Sequence, residues 1–301
     1  MLQVVNVDAT ELDNLEQLGT KPKFWYDEFR YLFKARREGT GEDWAEVVSA
    51  RLASLLGLPH ASYDLAEAVG VPTFDMVRGV RSANFTPLDG RLVLGNELIG
   101  PVASSEKGTA YAHRRQFHTP SRVAIYLGIP RLCIPLGWAA PVPIMTAKGV
   151  MAGYLMLDVL IGNQDRHEEN WGIIVSDKSL YLAPTFDHAS SLGRNEVDDR
   201  RRVKLETKDP RHGIPGYAAK AMSQLFEKNG SRLTTLDAFV AYSQTCKAEV
   251  SYWLAQLVRV NELSFRLLLN EIPDSHITEI GREFAVALLI ENRRRLLALT
   301  L

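Results

Sequence analysis

The segment MAGYLMLDVLIG, residues 151–162, is apolar on nearly every side of a helical projection. A helix of that kind has no face to give to water, so it reads as a central element that the rest of the chain surrounds. Gly162 is placed to stop it, because glycine takes the left-handed conformation of a helix C-cap without steric cost. The polar run NQDRHEEN follows, then two strand-like runs, GIIV and LYLA, separated by Ser176, Asp177 and Lys178, which is a hairpin turn composition. A polar loop carrying Asp165 is thus held between a buried helix and a hairpin, where a rigid scaffold can display a reactive side chain.

The flanking pattern is of two kinds. Residues 23–34, KFWYDEFRYLFK, read as two short aromatic-rich strands turning at Asp27 and Glu28. GEDWAEVVSARLASLLG then sets Trp44, Val47, Val48, Leu52, Leu55 and Leu56 on one helix face, with Gly57 and Pro59 ending it. Residues 76–94 read as a second strand pair turning at Pro87, Asp89 and Gly90. Beyond that the periodicity is mostly helical, and Ile277, Ile280, Phe284, Leu288 and Leu296 line a terminal helix. The expectation is an α+β protein of two lobes, a small β-rich lobe with one main helix over 1–95 and a larger helical lobe over 96–301.

Composition narrows the function classes. A length of 301 residues allows one large domain or two lobes, and 46% hydrophobic with 24% charged residues is the balance of a globular chain. A formal charge of −1 provides no overall attraction to nucleic acid, and the basic runs near Arg115, Arg201 and Arg294 read as solvated faces. Cys133 and Cys246 are too few for a disulfide framework, the seven histidines are scattered, and the acidic start MLQVVNVDATELDNLEQL has no signal-peptide pattern. The longest apolar stretch, Gly149 to Gly162, is interrupted by Asp158 and too short to span a bilayer. These features predict a cytoplasmic protein with no membrane partner.

Phosphoryl transfer needs a carboxylate near the acceptor hydroxyl, oxygen ligands for magnesium, and a cation on the nucleotide phosphates. Asp165 fits the first role. Asn170, five residues on in the same loop, and Asp187, just after the second hairpin strand, offer oxygens from two sides of the hairpin. Lys34 closes the strand YLFK, and Glu46 lies on the following helix where a partner carboxylate would stand, with Glu42 as a competitor. Gly19 in LGTKPK precedes the first strand of the hairpin, in the position of a phosphate-covering loop. Taken alone, Asp165 and Arg166 read as a loop ion pair, His167 as either a loop-orienting or a core histidine, and Trp44 and Trp171 as core residues.

Over nearly its full length the chain resembles the HipA-like serine/threonine kinases, through LGTKPKFW, YLFK, GEDWAEVVSARLASLLGLPHASYDLA, LIGNQDRHEENWG and LAPTFDHASSLG. The order Phe186, Asp187, His188 fits that family better than the phosphatidylinositol kinases, which share the DRHxxN core. The resemblance implies Asp165 as catalytic aspartate, Asn170 and Asp187 as Mg2+ ligands, Lys34 on the ATP phosphates and Glu46 positioning Lys34. It implies a phosphate-covering loop over Leu18, Gly19, Thr20, Lys21 and Lys23, and an adenine site near Gly95 to Ile99, including Glu97 and Leu98, with His167 also at the nucleotide. With Gly19 so near the start, the chain resembles the compact HipT-type and cell-translocating members, without the extra amino-terminal subdomain of full-length HipA toxins. Thr20 stands where several relatives carry an autophosphorylated serine. Relatives act on aminoacyl-tRNA synthetases or pair with a small helix-turn-helix antitoxin, so both are implied partners, and secretion as an effector is an alternative to a cytoplasmic role. A phosphatidylinositol or small-molecule kinase, and a nucleotide-binding pseudokinase scaffold, are the competing readings.

Overall fold

The central helix is buried as its sequence requires. In the computed structural model, which describes residues 1–15, 21–71, 76–99 and 114–300, it runs over Ala147–Ile161, and Lys148 is its one residue that is not buried. Thr146 caps its start by accepting from the Gly149 amide, and Gly162 ends it in the left-handed region at φ +64°. The other elements wrap it.

The first lobe is built on a six-stranded sheet in the order β1-β5-β6-β4-β3-β2. Its strands are β1 (Val5–Asp8), β2 (Leu12–Leu15), β3 (Lys23–Tyr26), β4 (Tyr31–Ala35), β5 (Tyr63–Val69) and β6 (Met76–Ala83). β1 and β5 are parallel and the other pairs antiparallel. The hairpin expected over 23–34 is present, with Lys23 opposite Lys34. Its turn holds Asp27, Glu28 and Phe29 at positive φ. Helix α1 (Glu42–Leu55) packs on β5 and β6 and reaches the central helix. Trp44, Val47, Val48 and Leu52 of α1 and Leu56 at its C-cap are buried, as their spacing predicts, whereas Leu55, expected on the same face, is exposed.

The strand pair expected over 76–94 is not a pair. β6 lies between β5 and β4, so neither of its edges is open. β7 (Arg91–Leu94) instead joins β9 (Gly172–Ser176) in a four-stranded sheet of order β7-β9-β10-β8, completed by β8 (Leu132–Cys133) and β10 (Ser179–Leu182). The turn at Pro87, Asp89 and Gly90 therefore carries the chain from one sheet to the other. The β9–β10 hairpin turns through Asp177 and Lys178, both at positive φ, as a two-residue turn with the right twist requires.

The second lobe is helical around the central helix. After α2 (Gly95–Leu98) and α3 (Pro120–Leu127) comes the central helix itself, α4. It is followed by α5 (Asp198–Glu206), α6 (Ile214–Ala219), α7 (Thr235–Ser243), α8 (Lys247–Arg259), α9 (Glu262–Asn270) and α10 (Glu279–Leu297). α4 packs against α7, α8 and α10. A second hairpin, β11 (Met222–Phe226) with β12 (Arg232–Thr234), adds to the one hairpin expected in this lobe. Among the described residues no helix is long and apolar enough to cross a membrane.

Candidate active site

The loop after α4 is fixed from beneath by Arg166. This side chain, 2% exposed, does not pair with its neighbour Asp165. It reaches back to Asp158, the single buried charge in the apolar helix, with Nε and Nη2 each 2.9 Å from one carboxylate oxygen. Nη1 donates to the Asn170 carbonyl at 2.7 Å and, more distantly, to that of Phe186, while Nη2 also donates to Thr185 Oγ1 at 2.9 Å. One guanidinium thus ties the central helix, the Asp165 loop and the chain leading to Asp187 into a single frame. Asn163 completes the frame by donating to Asp158 at 2.8 Å and accepting from the Asp165 amide at 3.1 Å.

Asp165 and Asn170 are locked to each other. Asn170 Nδ2 donates to the Asp165 carbonyl at 2.7 Å, which orients the amide so that its oxygen is turned away from that contact. The Asp165 carboxylate is half open to solvent, accepts from Ser190 Oγ at 3.3 Å, and has His167 Nε2 3.8 Å away. Trp171, next in the chain, is buried and donates to His118 Nε2 at 3.0 Å. Gly95 passes so close that a Cβ there would lie 2.4 Å from the Trp171 ring and 2.6 Å from the Glu168 carbonyl, so only glycine fits this crossing.

Asp187 stands across from this loop. Its amide donates to the Tyr63 hydroxyl at 3.2 Å, and its Oδ1 lies 3.4 Å from Lys34 Nζ, joining the two lobes. Burial by itself would raise the Asp187 carboxyl, but Lys34 and, further off, Lys23 outweigh it and hold the group below the usual carboxylate range. Burial likewise opposes the Lys34 charge, and Asp187, Tyr63 and Glu46 reverse that and keep the ammonium protonated.

Glu46 makes a different contact from the one expected. It is 1% exposed, and its Oε1 accepts from the His188 amide at 2.6 Å rather than forming an ion pair with Lys34. It lines the same small cavity as Lys34 and Asp187, so its charge acts on Lys34 through space. Glu42, one helical turn earlier, also turns to the segment after Asp187. It is buried against Lys21 Nζ at 2.7 Å, Arg37 Nη1 at 2.5 Å and the Arg194 guanidinium. Burial works against the Glu42 charge, and Lys21, the Arg37 amide and Arg194 overcome it, leaving its pKa lowered. Arg194 in turn donates to Ser190 Oγ at 3.0 Å. Within the basic run expected to be solvated, Arg201 turns inward, 7% exposed, and donates to Asp198 and the Gly193 carbonyl.

Two cavities flank these residues and share no lining residue. One, of about 280 Å³ between the lobes, is lined by Lys23, Lys34, Tyr63 and Asp187, with apolar walls from Trp25, Leu32, Phe85, Leu92, Leu94 and Phe186. The other, of about 290 Å³, lies beside Asp165 and is lined by Gln164, Ser190, Arg194, Asn195 and Tyr217, with Ala218, Ala221 and Leu288 behind them. Glu97 caps its own short helix by accepting from the Leu94 amide at 3.1 Å, Leu98 packs against the core, and neither lines the interlobe cavity. Leu18, Gly19 and Thr20 lie outside the described residues, while Lys21 and Lys23 are inside them.

The sequence reading missed Arg166, Tyr63 and the Ser190–Arg194–Glu42 set. A lone aspartate in an otherwise apolar helix, with an arginine eight residues on, was a signal for the first; nothing local marks the others.

No protein-family model matches the chain, and no curated protein matches its sequence. Among solved structures it is similar to the Helicobacter pylori proinflammatory kinase CtkA, with a TM-score of 0.69 and 20% identity over 99% of this chain and 100% of that one. It is also similar to HipA of Shewanella oneidensis MR-1, from a toxin–antitoxin complex of HipA, HipB and operator DNA. There the TM-score is 0.57 and the identity 13%, over 96% of this chain and 68% of that one. The chain has the bilobal protein-kinase-like fold, in the form that CtkA and HipA share.

Proposed function

We propose that this protein is a HipA-like, ATP- and magnesium-dependent kinase that transfers the γ-phosphoryl group to a serine or threonine hydroxyl of a protein. The observation that carries the reading is the Arg166 frame, which holds Asp165, Asn170 and the approach to Asp187 rigidly, opposite a lysine, Lys34, supplied by the other lobe. Kinase activity in CtkA, whose fold this chain shares over its length, is the supporting analogy.

The apolar walls between the lobes suit a nucleotide base, and Lys23 and Lys34 at the polar end suit its phosphates. The base would lie against Phe85, Leu92 and Leu94, with residues 83–86 as the backbone beside it in place of Glu97 and Leu98. Asp187 and the Asn170 amide oxygen are hard donors that fit magnesium, which would complete its shell from phosphate oxygens and water and neutralise charge on the transferring group. Asp165 accepts the acceptor's hydroxyl proton as its oxygen bonds to the γ-phosphorus and ADP departs. His167, 3.8 Å from Asp165, helps to orient that carboxylate.

The cavity beside Asp165 favours a protein acceptor over a phosphorylated lipid headgroup. Among the described residues its charged lining is Asp165 and Arg194, and Arg194 is paired with Glu42, so among them no unpaired cation lines it for an anionic acceptor. The likeness to HipA makes a HipB-like antitoxin the first partner to test and an aminoacyl-tRNA synthetase the first substrate, with action in the bacterial cytoplasm or, as an effector, outside it.

The test is incubation with magnesium, γ-labelled ATP and a mixed-protein acceptor. Label on serine and threonine is expected, and Asp165→Asn should reduce it on the order of 10²- to 10⁴-fold, the usual worth of a positioned general base. Undiminished labelling by that variant would overturn the mechanism. Label confined to lipids or small molecules would make the chain a kinase of those compounds, and nucleotide binding without transfer would make it a scaffold.

A further inference from the structure

Asp165 is connected to the first lobe by a continuous chain of side chains that the catalytic roles above do not use. Ser190 Oγ donates to Asp165 Oδ2 at 3.3 Å and accepts from Arg194 Nη2 at 3.0 Å. Arg194 Nη1 donates to Glu42 Oε1, and Glu42 Oε2 receives Lys21 Nζ at 2.7 Å. The donors and acceptors are consistent along the whole path, since a serine hydroxyl has one proton to give to the carboxylate and lone pairs left for the guanidinium. We infer that Ser190, Arg194 and Glu42 are positioning residues that set the Asp165 carboxylate, so that the placement of the catalytic base depends on how α1 of the first lobe meets the second. The inference rests on the kinase reading and extends it to residues outside the catalytic set.

Three observations support a positioning role over a merely adhesive one. The segment is clamped on both sides by short bonds: the Gly41 amide donates to the Arg194 carbonyl at 3.0 Å, Ser49 and Ser191 hydroxyls meet at 3.1 Å in the interior, and the Leu192 amide donates to the Ile161 carbonyl at 2.8 Å. Arg194 is therefore held by its backbone from the first lobe while its neighbour is held from the second. Next, among the described residues the Asp165 carboxylate has one hydrogen-bond donor, Ser190, because its other hydrogen bonds use its backbone amide and carbonyl, and His167 Nε2 stands 3.8 Å away, beyond hydrogen-bond distance. A carboxylate on a single rotatable stem loses reactive geometry easily, and misplacement of about 1 Å can cost as much as 10²-fold in rate. Last, Glu42 is 4% exposed, and a buried carboxylate holds its direction when cations converge on it from three segments of chain. Lys21, which belongs to the segment assigned to the phosphates, is one of those cations, so the base and the nucleotide side of the cleft report to the same carboxylate.

The experiment compares ADP release, with magnesium and a mixed-protein acceptor, for the wild type, Ser190→Ala, Ser190→Thr, Glu42→Gln and the double variant Ser190→Ala/Glu42→Gln. Ser190→Ala should lower kcat on the order of 10-fold with little change in KM for ATP, as expected for a lost orienting contact rather than a lost binding contact. Ser190→Thr, which keeps the hydroxyl, should restore most of the rate. Glu42→Gln should lower kcat in the same way, and the double variant should lose little more than either single one, because both act through one path. Thermal unfolding of each variant separates this from loss of fold, since Ser190 is only partly buried and its truncation leaves the ion pair of Arg194 intact. A wild-type kcat in Ser190→Ala, an equal loss in Ser190→Thr, or additive losses in the double variant would overturn the inference while leaving the kinase reading in place. A wild type that neither binds nor turns over ATP would remove both together.

Discussion

Arg166 and Glu42 are both buried charges that gather several partners, but they draw them from different parts of the chain. Arg166 meets Asp158, Asn170, Thr185 and Phe186, all in the second lobe, and its N–H groups are all engaged. Glu42 collects Lys21 and Arg37 from the first lobe and Arg194 from the segment beyond Asp187. The Arg37 side chain is 52% exposed, so this second cluster is partly in water. The difference separates two tasks. A hub closed within one lobe fixes the Asp165 loop once, at folding, whereas a hub that spans the lobes can loosen or tighten as they move.

That comparison can be broken at several points. Arg166→Met leaves Asp158 buried without its cation and should cost about 3–5 kcal/mol, read as a lower urea midpoint with an unchanged slope. Replacing both partners, Arg166→Met with Asp158→Leu, should recover most of that loss, since an apolar pair of similar volume often matches a buried ion pair. A loss below about 1 kcal/mol in the single variant would show that Arg166 does not hold the frame rigid.

The next effect is one of pH and sharpens the picture of the second lobe. Trp171 Nε1 can only donate, so His118 Nε2 is its acceptor and Nδ1 carries the proton shared with the Gln224 carbonyl, 2.8 Å away. Burial pushes the His118 pKa down to about 4. The unfolded chain takes up that proton first, so the contribution is full above pH 6.5 and is lost as pH falls from there toward 4. The total is on the order of 3 kcal/mol. His118→Gln should flatten this part of the stability–pH curve; an unaltered curve would assign the slope to other groups.

Glu42→Gln should have a smaller effect on stability, about 1–2 kcal/mol, because charge-assisted bonds are lost but Arg37 and, in part, Lys21 already reach water and Arg194 keeps its bond to Ser190. Added salt should shrink that loss and leave the Arg166→Met loss nearly unchanged, since exposed charges are screened and buried ones are not. Equal salt dependence in the two variants would erase the distinction between the hubs.

What could be read in the sequence follows from how local each cause is. The central helix was legible because burial on every side is written in its composition, and the β9–β10 hairpin because its turn residues sit between two strand-like runs. Asp165, Asn170 and Asp187 could be grouped because a buried helix and a tight hairpin leave little freedom in how their ends meet. β5 was hidden by Asp64, Glu67 and two alanines, Ala66 and Ala68, that have weak strand preference. The misread pair at 76–94 had the right turn chemistry, but pairing depends on which edges are free, and β5, just before it in the chain, and β4, far off in the chain, had taken both edges of β6. Arg166 and Glu46 show the same limit at the level of side chains: adjacency suggested Asp165 for one and helix position suggested Lys34 for the other. The structure gives them Asp158 and His188.

Asp187 has a backbone φ of +61°, a conformation that glycine, asparagine and aspartate adopt readily and most other residues avoid. The genetic code places both alternatives a single base from aspartate. Most random changes at this position would therefore disturb the fold and be removed by selection, while the two easiest ones would leave a sound protein lacking its carboxylate. Under the proposed kinase function, a lineage carrying this fold would have a short mutational path to an inert nucleotide-binding descendant, and aspartate at this site in a homologue would be a mark of selection for chemistry rather than for folding.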